Sequence, residues 1–141
     1  MNMANLHLRI ITPKKIVRED DVDLVTAPTI DGEITILPRH MKLFTLLQEG
    51  IVLIKKENKE EDLAIGGGYL QTDGKDLNIL VSRAYGQNEI DKELIEKAVK
   101  EAQNLLKTAK DEKQRHEASA LLRRSIVDLK LLRRRRPRTT S

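Results

Sequence analysis

The chain has 141 residues, 39% hydrophobic and 34% charged, with a formal net charge of +4, which suits one soluble domain plus an appendage. With no cysteine, one Phe, two Tyr and no Trp, it has no disulfide framework, thiolate metal site or cysteine nucleophile, and aromatic stacking platforms for nucleobases are disfavoured. No segment approaches the roughly 20 apolar residues of a membrane helix and no export signal opens the chain, so a cytoplasmic protein with an aliphatic core is expected.

From Leu6 to about Ser82 the pattern is short and alternating. Leu6, Leu8 and Ile10 alternate with His7 and Arg9 until Pro13 stops the run. Further apolar or β-branched runs cover Val22 to Thr26, Ile34 to Leu37, Ile51 to Ile54, Leu63 to Ile65 and Leu77 to Val81. Asp31-Gly32, Glu57-Asn58-Lys59 and Asp73-Gly74-Lys75 stand between them as turns. Turn residues at spacings near ten predict antiparallel strands, each burying one face, packed as a sandwich or barrel. The Gly66-Gly67-Gly68 run lacks the Lys-Ser/Thr of a phosphate loop and predicts a bulge or close strand approach instead.

After Gln87 the period changes. Ile90, Leu94, Ile95, Ala98, Val99, Ala102, Leu105, Leu106 and Ala109 recur at three- and four-residue steps, an amphipathic helix with Asn88 or Asp91 as N-cap. The polar stretch from Lys110 to Arg115 predicts a link, and a second stripe runs through Ala118, Leu122, Ile126 and Leu129 to Leu132. Together these predict an α+β chain: an antiparallel β-sandwich over residues 1–87, then a two-helix antiparallel hairpin with a basic tail over residues 88–141. The charge divides at the same place. Residues 1–87 carry 11 basic and 13 acidic side chains, and residues 88–141 carry 15 basic and 9 acidic, so the hairpin is fitted to an acidic partner. Its stripes are narrow and Ala-rich, so at ~25 cal/mol per Å² its docking on the sandwich is marginal and the hairpin is a candidate moving part.

The most specific string is Asp31-Gly32-Glu33-Ile34-Thr35-Ile36-Leu37-Pro38-Arg39-His40, a turn, a short strand, and a proline that ends it. With Ile10-Ile11-Thr12-Pro13 before it and Gly66 to Leu70, Asp76 to Leu80, Ile90-Asp91 and Ala118 to Arg124 after it, the chain resembles the epsilon subunit family of bacterial F-type ATP synthases. The family pattern G-E-x-G-I-L-P-x-H is met except at Thr35, where the family has Gly. A side chain there alters the fine shape of that strand.

The resemblance implies a central-stalk subunit at the cytoplasmic face of the bacterial inner membrane, peripheral and without catalysis of its own. Implied partners are the gamma subunit, the c-subunit ring and the catalytic hexamer of alpha and beta subunits. Asp31, Gly32, Glu33, Arg39 and His40 fall on the implied interface with gamma and the c ring. The hairpin is the implied brake on ATP hydrolysis, with Arg123, Arg124, Lys130, Arg133, Arg134, Arg135 and Arg136 as its cations toward the catalytic subunits. No cofactor is expected. Some family members bind ATP at the hairpin through I/L-D-x-x-R-A, but the nearest candidates, Asp111 and Arg115, are four apart and followed by His116, so the motif is not met. The residues alone leave a second reading open, a small basic nucleic-acid-binding protein, against which the β half is net acidic. An enzyme is not indicated, since His7, His40 and His116 lack ligand spacing and Ser82, Ser119 and Ser125 lack a nucleophile elbow.

Overall fold

The structure is a computed structural model in which residues 5–134 are described. Ten strands come first: β1 (Leu6–Ile11), β2 (Ile16–Val22), β3 (Leu24–Thr29), β4 (Gly32–Ile36), β5 (Leu43–Leu47), β6 (Gly50–Lys56), β7 (Lys59–Ile65), β8 (Gly68–Thr72), β9 (Asp76–Val81) and β10 (Ala84–Tyr85). A single 3-10 turn at Gln87–Glu89 leads into α1 (Lys92–Thr108) and α2 (Glu112–Arg133).

The strands form one hydrogen-bonded path, β10-β7-β6-β3-β5-β8-β9-β1-β2, with β4 paired to β3. The path bends into two layers at β3 and β5, which pair only through Thr29 and Leu47. At the opposite seam β2 comes back onto β6 and β7. Lys56 Nζ donates to Asp20 at 2.8 Å and Arg18 lies 2.5 Å from Glu61, so the sandwich is nearly closed. The Lys56 ammonium holds the Asp20 carboxyl below its usual range.

Leu6, Leu8 and Ile10 of β1 meet Val25, Ile36, Val52, Ile54, Ile65, Leu70, Leu77 and Ile79 in one aliphatic core. Among the described residues, no side chain of α1 or α2 belongs to that cluster. The sandwich therefore completes its core without the helices.

Alternation alone does not lead to several features of the sheet. Among the described residues all pairings are antiparallel except β1 with β9, which is parallel and runs from His7–Asp76 to Ile11–Leu80. A parallel pair needs a long connection, and here β2 to β8 supply it. Strands β2, β5, β8 and β10 carry no clear alternating signal. In β2 the run Arg18-Glu19-Asp20-Asp21 is an edge whose side chains join ion pairs. In β5 both faces are apolar. At Gly68 a Cβ would stand 1.9 Å from the Leu80 carbonyl oxygen, so the glycine run does provide the close strand approach.

The helices start at identifiable caps. Asp91 accepts from Glu93 N at 3.0 Å and Leu94 N at 3.3 Å, and Asn88 lies in the preceding 3-10 turn. Asp111 accepts from Gln114 N at 2.8 Å and starts α2. The link is therefore residues 109–111, and the polar stretch from Glu112 to Arg115 is the first turn of α2. Helix propensity and a good cap outweigh polarity here.

Candidate functional site

The predicted sandwich contacts fall into two groups. Asp31 and Gly32 form the β3–β4 turn, and Glu33 follows in β4 opposite Pro28. All three are exposed, beside the equally exposed Ile30. Arg39 and His40 lie beyond the other end of β4, a strand of about 13 Å at ~3.3 Å per residue. Their loop is pinned by the β8–β9 turn, where Arg39 N donates to Gly74 O at 2.8 Å, and within the loop His40 Nδ1 bonds the Met41 carbonyl at 2.8 Å. Gly74 has φ +92, and a Cβ there would meet the His40 carbonyl oxygen at 2.4 Å, so only glycine lets the two turns touch. Leu37 and Met41 flank this second group, 52% and 82% exposed. The two groups do not converge on one point.

A third surface was missed in the sequence. Outward-facing residues pair across four strands in one row: Leu46 with Tyr69, Tyr69 with Leu80, and Leu80 with Ile11. Ile16, paired with Ile11, extends the row to the edge strand. Phe44 packs its ring 5.1 Å from that of Tyr69. Phe44, Leu46 and Ile16 are 61%, 49% and 47% exposed, and Ile11, Pro13, Tyr69 and Leu80 line a groove of about 440 Å³. This contiguous apolar face explains why β5 lacks alternation. The available signal was Leu43-Phe44-Thr45-Leu46-Leu47, a strand apolar on both sides in a domain with one core.

Next to the row, His7 stands between two carboxylates, with Nδ1 2.9 Å from Asp21 and Nε2 2.9 Å from Glu19. The Asp21 and then the Glu19 hydrogen bonds raise its pKa. His40 and His116 lie apart from it, in the β4–β5 loop and on α2. Among the described residues no group of three or more His, Cys, Asp or Glu forms a metal site, and no helix is long and apolar enough to cross a membrane.

The hairpin rests on β6, β7 and β10 through the second half of α2. Ala118, Ser125, Asp128 and Leu131 are its buried positions, two of them polar. The Tyr85 hydroxyl donates to Asp128 Oδ1. Burial, followed by this hydrogen bond, pushes the Tyr85 phenol up, so it stays protonated as the donor. At the end of α2, Gln87 Nε2 donates to the carbonyl of Leu131 at 2.6 Å, which also accepts from Arg134 N at 3.2 Å, and to that of Arg134 at 2.5 Å.

The predicted hairpin cations divide likewise. Arg123, Arg124, Lys130 and Arg133 are exposed. Arg124 also lines a cleft of about 690 Å³ between hairpin and sandwich, with Arg83, Tyr85, Leu94 and Asp128. Arg134 turns to the sandwich, its Nη1 3.4 Å from Asp62 Oδ1. Arg135 and Arg136 lie outside the described residues. Asp111 caps α2 and Arg115 lies 3.2 Å from Glu112, so both take part in starting the helix.

Residues 5–87 match the family described as ATP synthase, Delta/Epsilon chain, beta-sandwich domain. An ATP synthase epsilon chain of Moorella thermoacetica is 36% identical over 129 residues, 91% of this chain and 96% of the relative. Another from Herpetosiphon aurantiacus is 32% identical over 133 residues, 94% of this chain and 98% of the relative. Among solved structures, a chain of the Euglena gracilis mitochondrial ATP synthase, in its OSCP/F1/c-ring assembly, superposes with a TM-score of 0.81 at 25% identity, over 91% of this chain and 81% of its own length. A chain from the Tetrahymena thermophila central stalk and c ring shares the fold, with a TM-score of 0.61 at 17% identity, over 90% of this chain and 96% of its own length.

Proposed function

The chain belongs to the ATP synthase delta/epsilon family, and from that premise we propose that it joins gamma to the c ring as the epsilon subunit of the central stalk and restrains ATP hydrolysis with its hairpin. The observation that supports this reading is the division of burial. The sandwich closes its own core and still exposes an apolar row across β5, β8, β9 and β1, while the helices add nothing to that core. A rigid body with an apolar outer face suits permanent attachment to another subunit. A hairpin held outside the core suits movement.

In this reading the row Leu46–Tyr69–Leu80–Ile11 seats on gamma. Asp31, Gly32 and Glu33 meet the polar loops of the c ring, and Arg39 and His40 border gamma from the other end of β4. Arg123, Arg124, Lys130 and the arginines from Arg133 to Arg136 pair with an acidic segment of the catalytic subunits when the hairpin extends. Charge-assisted arginine pairs contribute about 1.5–3 kcal/mol each when partly desolvated, and about 5.5 kcal/mol carries a two-state equilibrium from 1:99 to 99:1. No catalytic step and no cofactor belong to the chain, which sits at the cytoplasmic face of the bacterial inner membrane through its partners. The nucleic-acid reading draws no support from the relatives.

The test is co-purification of gamma from solubilised membranes with the doubly substituted Leu46→Glu, Tyr69→Glu chain. Both side chains point outward, so the thermal midpoint stays near the wild-type value, and gamma recovery drops at least about tenfold, the equivalent of ~1.4 kcal/mol. Wild-type recovery of gamma would place the stalk attachment elsewhere.

A further inference from the structure

Asp128 is 4% exposed in the interface between α2 and the sandwich, yet it bears a carboxylate. A helix that simply needed to stay docked would carry an apolar residue there, because burying a charge is costly unless it is well partnered. The Tyr85 hydroxyl, at the end of β10, donates a hydrogen bond to it. Three residues further along α2, the carbonyl of Leu131 accepts from Gln87, and Arg134 closes the series on Asp62 of β7. Each of these polar contacts is one that water can replace when the helix lifts. Around the latch the fully buried apolar side chain of α2 is Leu131, while the neighbouring Ile126 is 42% exposed.

We propose that Tyr85, Gln87 and Asp128 form a polar latch that holds α2 against the sandwich and sets how readily the hairpin is released. The latch rests on the reading of the hairpin as a brake, and it specifies what keeps the brake off. Its chemistry makes it reversible. Release hydrates the Asp128 carboxylate and so recovers the desolvation cost that docking imposes, while Tyr85 and Gln87 exchange their partners for water. Arg134 changes sides in the same step. Docked, it is paired with Asp62; released, it joins the exposed cations Lys130 and Arg133 at the end of the helix.

Amide hydrogen exchange on the full chain tests this, comparing wild type with Tyr85→Phe and Asp128→Asn. Tyr85→Phe leaves a buried carboxylate without its donor, so exchange across α2 speeds about tenfold or more while β1 to β9 keep their wild-type protection. Asp128→Asn retains an acceptor for the hydroxyl and removes the buried charge, so α2 exchanges no faster than in wild type. Unchanged α2 exchange in Tyr85→Phe, acceleration spread equally over the strands, or release by Asp128→Asn as large as by Tyr85→Phe each overturns the latch. In the assembled complex, Tyr85→Phe lowers ATP hydrolysis. If α2 is released in the exchange experiment and hydrolysis is still unchanged, the brake reading fails and the latch stands.

Discussion

His7 lies within 2.9 Å of carboxylates through both ring nitrogens, a geometry that is satisfied only when both nitrogens carry protons. Its folded-state pKa is raised, by Asp21 first and Glu19 second. A raised pKa means that the contribution is fully present below the unfolded value of about 6.5 and is lost as pH rises through the folded value. The thermal midpoint of His7→Gln should therefore fall furthest below wild type near about pH 5.5, and the gap should close toward about pH 9. A gap of constant size across that range would show that the imidazolium has no such role. At the same scale, Gly74 shows why two turns distant in sequence meet. Its missing Cβ leaves room for the His40 carbonyl, and that contact positions Arg39 and His40.

Among the elements, α1 is the least anchored. Its single buried residue is Ala102, while Leu94 and Leu105 are 61% and 45% exposed. Its start depends on the Asp91 side chain, which satisfies two amides that the helix cannot. Asp91→Ala should cost about 1 kcal/mol of helix stability, seen as roughly fivefold faster exchange in the first turn of α1 with the strands unaffected. Loss of protection in the strands as well would mean that α1 folds as one unit with the sandwich. Strand β5 shows the opposite case, an element fixed by the sheet whose outer side chains Phe44 and Leu46 remain exposed.

For the whole molecule, the docking contact of the C-terminal segment and its proposed contact with the catalytic subunits act in opposite directions on truncation. Deleting Leu132 to Ser141 removes the Arg134–Asp62 contact, a half-exposed pair of the sort that contributes about 0.2–1 kcal/mol to docking, and the hydrogen bond from Gln87 to the Arg134 carbonyl. On the proposed reading the same deletion also removes Arg133, Arg134, Arg135 and Arg136, four of the cations proposed to face the catalytic subunits, at about 1.5–3 kcal/mol for each that becomes partly desolvated. The second effect is larger, so the truncated complex should hydrolyse ATP faster, by about fivefold or more. An unchanged rate would leave the segment as a solvated tail.

Local periodicity carried much of this protein's design. The shift from period two to about 3.6 near Gln87, the turns at Asp31-Gly32 and Asp73-Gly74, the aliphatic core positions of β1 and β9, and the Asp91 cap are all properties of residues close together in the chain. Other features depend on which distant segments meet. The parallel pairing of β1 with β9 aligned Ile11 with Leu80, and the β5–β8–β9 register added Tyr69 and Leu46 to make an apolar face that no single strand displays. The length of β4 separated Glu33 from Arg39 and His40. Docking of α2 turned Asp128, in sequence one more charge on a helix, into a buried partner of Tyr85, 43 residues away. Sequence sets which faces are apolar over a few residues, and only folding determines which of those faces find each other and which are left exposed.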